Sequence, residues 1–257
     1  MFTISTTMFE VLWEALRLPP MPPRLAVRQH GTTLDERNEL RDRTLADAAR
    51  RGLRHPHRTD RDLAGLLDLL ARHDRGVSLR ELTNRRRRAY AAADGPYGAI
   101  GVIQDCQVSL YAVPGDHLVA ELLKLLPRLP AGAGGAVSLP TTVFEAAMAA
   151  YSDPRDSTDA RRVLTDAGVG GKHVERLLAT ARDLVDTGSI GVHTGRHTTV
   201  ALTGSLGYTD TTSGRYTITR RDDHAGRSHT TVAPTDQDTL RRRVIELLGG
   251  RAGPWAN

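Results

Sequence analysis

Two glycine-rich stretches of this sequence come near to motifs that carry chemistry, and each lacks a part that the chemistry needs. Gly168-Val169-Gly170-Gly171-Lys172-His173 resembles a phosphate-cradling loop, in which backbone N–H groups and a lysine hold phosphate oxygens. In G-x-x-x-x-G-K-[ST] the first glycine would fall at Asp166, and His173 replaces the hydroxyl that ligates magnesium. The stretch is expected instead to stop one helix and restart another. Gly204-Ser205-Leu206-Gly207 approaches a nucleophile elbow, but Thr203 stands where G-x-S-x-G requires glycine, so a turn between strands is expected there. His55 with His57, and His193 with His197, are the closest histidine pairs. The second spacing would join two metal ligands only on a helix, whereas Gly191-Val-His-Thr-Gly-Arg-His-Thr-Thr-Val200 has the glycine and β-branched content of strands. Asp60 with Asp62, and Asp222 with Asp223, sit where caps and turns want carboxylates, which leaves general acid–base work without positive support. No catalytic residue, cofactor or metal is expected, and the chain is read as a binding protein, not an enzyme.

Charge gives a weaker signal. The net charge is +5, and Lys124 and Lys172 are the only lysines among 35 basic residues, so the basicity is an arginine habit spread over both halves. Nucleic acid is the alternative partner, through the run Arg85 to Arg88 in a hairpin after Thr83-Asn84, where arginines could meet phosphates. Alternate arginines on an edge strand would equally discourage sheet-to-sheet aggregation. Cys106 is the only cysteine, so no internal disulfide can form and a reducing, cytoplasmic setting fits. The opening residues, with Glu10, Trp13 and Glu14, lack the layout of a signal peptide, and the longest apolar stretch is broken by Glu121 and Lys124.

The elements that would position any site come in two copies. Ser5-Thr-Thr-Met-Phe-Glu-Val-Leu-Trp-Glu-Ala-Leu16 is echoed by Pro140-Thr-Thr-Val-Phe-Glu-Ala-Ala-Met-Ala-Ala-Tyr151. Phe9, Leu12, Trp13 and Leu16, and then Phe144, Ala147, Met148 and Tyr151, recur at i, i+3, i+4 and i+7, one apolar stripe on each of two helices. The threonines before each stripe are expected as N-caps. Leu63, Leu66, Leu67 and Leu70 match Val174, Leu177, Leu178 and Ala181 as a further helix in each half, and more helices are expected over 34–51 and 156–167. Period-two runs through Val77, Leu79, Tyr90, Ile100, Val102, Val108 and Leu110, and again through Ile190, Val192, Val200, Leu202, Tyr216, Ile218 and Thr231, predict antiparallel hairpins. Turns are expected at Thr83-Asn84, Asp94-Gly95, Asp105, Gly195, Ser213-Gly214 and Ala225-Gly226. Pro114 and Pro234 close these runs before leucine-rich helices capped by Asp116 and Asp236.

Each half therefore reads helices, about four short strands, then a helix. The halves, about 2–129 and 136–250, are joined by the flexible connector Pro130-Ala-Gly-Ala-Gly-Gly-Ala136. Pairing the two small sheets edge to edge would remove exposed edges, so one domain over 1–257 with a merged sheet is expected.

On the opening FTISTTMFEVLWEALRLPPMPPRLAVRQHG, the block DRDLAGLLDLLAR and the closing GRYTITRRDDHAGRSHTTVAPTDQDTLRRRVIELL, the chain resembles the EspG family of type VII (ESX) secretion. The resemblance implies an α+β fold, with a central antiparallel sheet flanked by two helical bundles and quasi-twofold symmetry. It also implies a cytosolic chaperone that uses no ATP and holds a helical secretion substrate, PE/PPE-like or a WXG-like heterodimer, by covering its apolar tip until export. Thr83-Asn84 looks too tight for the long sheet loop that some members extend toward clients. No short motif marks the family's contact surface; polar positions of the second-half bundle and the strand after it, Asp183, Asp186, Ser189, His193 and Tyr216, are the partner-binding candidates.

Overall fold

A computed structural model of the chain describes residues 1–28, 33–55, 58–83, 86–151, 157–196 and 199–249. Two compact units are present, one of Met1–Arg80, Arg85–Leu125 and Val192–Leu202, the other of Glu81–Asn84, Leu126–Gly191 and Thr203–Asn257. The first half of the chain runs β1 (Phe2–Ser5), α1 (Thr6–Ala15), α2 (Leu34–Arg50), a small hairpin of β2 (Arg54–His55) and β3 (Arg58–Thr59), and α3 (Arg61–Ala71). Four strands follow, β4 (Arg75–Glu81), β5 (Arg88–Asp94), β6 (Tyr97–Gln104) and β7 (Gln107–Pro114), and then α4 (Leu118–Leu123). The second half repeats the plan. It runs β8 (Val137–Pro140), α5 (Thr141–Ala150), α6 (Thr158–Asp166) and α7 (Gly171–Arg182), then β9 (Leu184–Arg196), β10 (Thr199–Thr211), β11 (Gly214–Asp222), β12 (Ser228–Pro234) and α8 (Gln237–Leu248).

The strands follow one another in the sheet as β1-β7-β6-β5-β4-β9-β10-β11-β12-β8, an order that reads alike from both ends once each strand is exchanged for its repeat. The α+β class, the antiparallel sheet and the internal repeat are thus present. Each half contributes five strands to this sheet, because β1 and β8 join its ends as short strands that the threonine-led helix signal had hidden.

Side-chain caps fix where α1, α2, α3 and α8 begin. Ser5 caps α1, its Oγ accepting from Met8 N at 3.1 Å, so Thr6 is already helical and the expected threonine cap is displaced by one residue. Pro140 precedes α5 without a side-chain cap, and the Thr141 hydroxyl instead meets Thr230 Oγ1 at 3.0 Å and Ser228 Oγ at 3.1 Å. Thr33 and Glu36 close a reciprocal capping box on α2, and Asp236 caps α8 through Thr239 N at 2.8 Å. Asp116 is not a cap. It lies inside a 3-10 turn, Gly115–His117, and α4 starts only at Leu118.

In the first unit Phe9, Leu12 and Trp13 of α1, Leu45 and Ala48 of α2, and Leu63, Leu67 and Leu70 of α3 pack on Tyr90, Ala99 and Leu110 of the sheet. The matching stripe on α5 is less covered. Ala147 is its buried residue, while Phe144, Met148 and Tyr151 are half-buried beside a core of Leu164, Val174, Leu177, Leu178, Tyr216 and Val232. Ala147 shares that core with Ala160 and Leu164 of α6, which packs against α5.

Other expectations meet the backbone directly. Turns form with positive φ at Gly95, Asp105, Gly214 and Gly226, and Gly168, at φ 78°, separates α6 from α7 as a stop and restart. Gly195 and the Gly204–Gly207 stretch are not turns, since they lie inside β9 and β10, strands of 13 residues each. Asn84, Arg85, Asp156, His57 and His197 fall outside the described residues. The connector is pinned, not free: Gly132 N donates to Arg215 O, and Arg215 N to Pro130 O, both at 2.9 Å. A Cβ on Gly132 would lie 2.2 Å from the Tyr216 ring, a contact that only glycine permits.

Candidate functional site

Four of the five partner-binding candidates, Asp183, Asp186, Ser189 and Tyr216, belong to the second unit, and His193 to the first. Asp183 ends α7. Its carboxylate accepts from Arg182 Nε at 2.9 Å, which holds its pKa below the usual carboxylate value, and it stays accessible at the lip of a cleft of about 340 Å³. Arg176, Ser213 and Tyr216 line the same cleft.

Tyr216 is only 3% exposed, and its hydroxyl donates to Ala133 O at 3.1 Å, so its work is to hold the connector against the cleft floor. Asp186 is likewise buried at 8% exposure; its Oδ1 accepts from Thr187 N at 2.8 Å and from the Thr83 hydroxyl. A buried carboxylate needs such donors, and here they fasten the segment after β4 onto β9. Leu82 N donates to Thr187 O at 2.9 Å in the same place. Ser189 is half-buried on β9, on the same side of the strand as Val185 and Thr187.

Sequence reasoning missed the apolar members of this region. Leu82 at 45%, Leu184 at 43% and Val185 at 45% exposure stand at the start of β9 or are tied to it. A Leu-Val pair directly after a helix end, where period-two alternation should have begun with a polar residue, was the signal available.

Beneath the surface the second unit carries a buried ion pair. Arg215 is 0% exposed, and it donates through Nε to Asp210 Oδ1 at 2.5 Å and through Nη2 to Asp210 Oδ2 at 2.8 Å. Its remaining donors reach Gln237 Oε1 at 2.8 Å and Pro127 O at 3.0 Å, and its guanidinium stacks 5.5 Å from the Tyr208 ring centroid. This one side chain therefore ties β11 to β10, to α8 and to the chain entering the connector.

In the first unit His193 Nε2 meets Ser78 Oγ at 3.0 Å, and His73 Nε2 meets Tyr90 Oη at 2.8 Å, the two imidazoles each packing 5.3 Å from the Tyr90 ring. Burial, then the nearby His73 and then Arg24, lower the His193 pKa to about 4, and burial also lowers that of His73. Both rings are therefore neutral at pH 7 and act as core groups. Among the described residues no three His, Cys, Asp or Glu side chains are grouped to hold a metal ion, and no helix is long and apolar enough to cross a membrane.

The arginine run has its own geometry. Arg87 donates to Leu125 O, and Arg88 Nη1 to Ala26 O at 2.9 Å. β5 lies between β6 and β4, so the expected edge-strand role for these arginines does not apply.

An α+β chain with a doubled plan and exposed apolar side chains at the start of a strand, next to a small cleft, has the layout of a protein-contacting module. The chain belongs to the EspG family, whose model matches residues 5–246. Among solved structures it is similar to the Mycobacterium tuberculosis type VII secretion system chaperone EspG5, in a complex with the PE25–PPE41 dimer. The TM-score is 0.72 at 14% identity, over 99% of this chain and 98% of that one, a likeness of fold. A search of curated proteins finds no match.

Proposed function

We propose that this chain is a chaperone of type VII secretion, which binds a helical PE/PPE-like client, keeps it soluble in the cytoplasm without ATP and hands it on for export unchanged. The observation that carries this reading is the family match over residues 5–246, joined to the fold of a chaperone whose solved complex holds a PE–PPE dimer. The two halves act as one EspG-like domain. Client contact is assigned to Asp183 and Ser189 together with the exposed Leu82, Leu184 and Val185, because exposed apolar side chains among accessible polar groups suit the tip of a helical partner. Asp186 and Tyr216 serve from within, one fastening the segment after β4 and the other the connector. Arg87 already bonds the Leu125 carbonyl, which takes one member of the run away from the nucleic-acid alternative.

The experiment is co-expression with PE/PPE-like or WXG-like pairs encoded near the gene, followed by size exclusion. A stable ternary complex, unaffected by nucleotide and with the client's mass unchanged, is the expected result. Absence of any complex, with salt-sensitive binding to DNA instead, would overturn it.

A further inference from the structure

Three arginines of the first unit converge without a counter-charge. Arg80 on β4 and Arg88 on β5 are directly opposite in the antiparallel register, which puts their Cα atoms about 5 Å apart. Both point to the face of the sheet that carries Tyr90, since Ser78 pairs with Tyr90 and side chains alternate along each strand. On that face Leu25 lies against Gly101, where a Cβ would come within 3.2 Å of Leu25 Cδ1. Arg24 and Ala26 flank Leu25, and the Ala26 carbonyl receives Arg88 Nη1 at 2.9 Å, which fixes one guanidinium in place. Arg24 is half-buried beside the other two; burial first, then the charges of Arg80 and of Arg88, lower its pKa. Among the described residues no carboxylate forms an ion pair with Arg24, Arg80 or Arg88.

Like charges placed directly opposite on neighbouring strands are destabilising, and so is the partial burial of a third. Protection of a sheet edge cannot explain the arrangement, because β4 and β5 are interior strands. A cost of this kind persists where a ligand repays it. Guanidinium groups are the donors of choice for planar, bidentate capture of carboxylates and phosphates. The three stand together on one face of the sheet, and several other arginines of this unit are engaged elsewhere. Arg37 is bonded to Glu10 and Glu14, Arg51 to Thr3 O, Arg72 to Asp68, Arg75 to Gly95 O and Arg87 to Leu125 O. A polynucleotide, whose affinity grows with each phosphate neutralised along its length, gains little from such a spot.

We propose that Arg24, Arg80 and Arg88 form a receiving site for acidic side chains of the protein client, a second contact that is electrostatic where that of the exposed Leu82, Leu184 and Val185 is apolar. The assignment of a protein occupant rests on the chaperone reading; the anion site itself does not.

The test uses the full chain and its Arg80→Glu and Arg80→Gln variants. Arg80 is exposed and makes no hydrogen bond or ion pair among the described residues, so both variants fold, and Arg80→Gln melts no lower than the parent because repulsion is relieved. Three probes are titrated at two salt concentrations: the client pair that co-purifies, poly-L-glutamate, and a single-stranded oligothymidylate. The parent is expected to bind the client and polyglutamate more weakly at high salt, with Arg80→Glu weakening both about tenfold or more and blunting the salt dependence. Unchanged binding of client and polyglutamate by Arg80→Glu overturns the proposal while leaving the chaperone function standing. Loss of polyglutamate binding in Arg80→Glu, with no client bound even by the parent, supports the anion site and sinks the chaperone reading alone. Tighter binding of oligothymidylate than of polyglutamate, lost in Arg80→Glu, overturns the proposal in favour of a phosphate ligand.

Discussion

Replacing Asp210 by asparagine removes the only charge among the described residues that faces the Arg215 guanidinium at hydrogen-bond distance, in a site where the two side chains are 0% and 2% exposed. Breaking one side of a buried pair leaves an uncompensated ion, which typically costs about 3 to 5 kcal/mol. Arg215 keeps three neutral partners, Gln237 Oε1, Pro127 O and the Tyr208 ring, so the lower end, about 3 kcal/mol, is expected. For a chain of this size that is a fall of about 6 to 12 °C in the thermal midpoint, at roughly 2 to 4 °C per kcal/mol. Urea denaturation followed by circular dichroism, on Asp210→Asn, Arg215→Met and the double variant, gives the coupling energy directly. Arg215→Met alone also strands the Asp210 carboxylate, whereas the double variant removes both charges and should recover much of the loss. A coupling energy near zero, or a cost below about 1 kcal/mol for Asp210→Asn, would show that the pair is solvated and that the reasoning from burial is wrong.

Trp13→Ala should cost about 3 to 5 kcal/mol, since Trp13 is buried and its Nε1 also donates to Pro19 O at 2.7 Å. Phe144→Ala, at a half-buried position, should cost clearly less by the same denaturation assay, and equal losses would contradict the observed asymmetry of the two repeats. Because burial depresses the His193 pKa to about 4 from 6.5, the folded form stays neutral while the unfolded form takes up a proton. Stability from this group is therefore complete above about pH 6.5 and lost as pH falls toward 4, a loss of about 2 kcal/mol after allowing for its partial exposure. His193→Gln should flatten the stability profile over that window, and an unchanged slope would show that the imidazole is not the group responsible. Asp183→Lys should weaken the client complex about tenfold at unchanged thermal midpoint, as read by titration calorimetry, because it places a charge of the wrong sign at the contact.

Periodicity carried most of the architecture. The stripes of α1, α3 and α7 and the alternation through β4 to β7 and β9 to β12 depend on which residues face a core, and hydrophobic spacing records that directly. Short strands β1 and β8 escaped because four residues give too little alternation to count, and their last residue also serves as the cap or the entry to the following helix. The glycines of β10 misled for a related reason. Glycine signals a turn when it supplies positive φ, whereas within β10 Gly207 stands between flanking strands, its absent Cβ facing Ile218 Cβ at 3.4 Å and Gly188 O at 3.7 Å.

The candidate contact surface was harder to read because polarity is a poor guide to exposure. Asp186 and Tyr216 have the polar atoms of surface groups, yet each spends them on a backbone or hydroxyl partner supplied from elsewhere in the sequence: Thr83 for one and Ala133 for the other. Leu184 and Val185 have the composition of a core and are exposed. The arginines show the same thing in reverse. Arg87, within the most basic run in the sequence, bonds the carbonyl of Leu125, whereas Arg24, Arg80 and Arg88 come together only because an antiparallel register sets 80 opposite 88 and Leu25 anchors its neighbour above them. A cluster assembled by register from separate segments leaves no spacing to detect, so in a protein whose work is binding, the sheet pairing has to be known before the charges that matter can be told from those already satisfied.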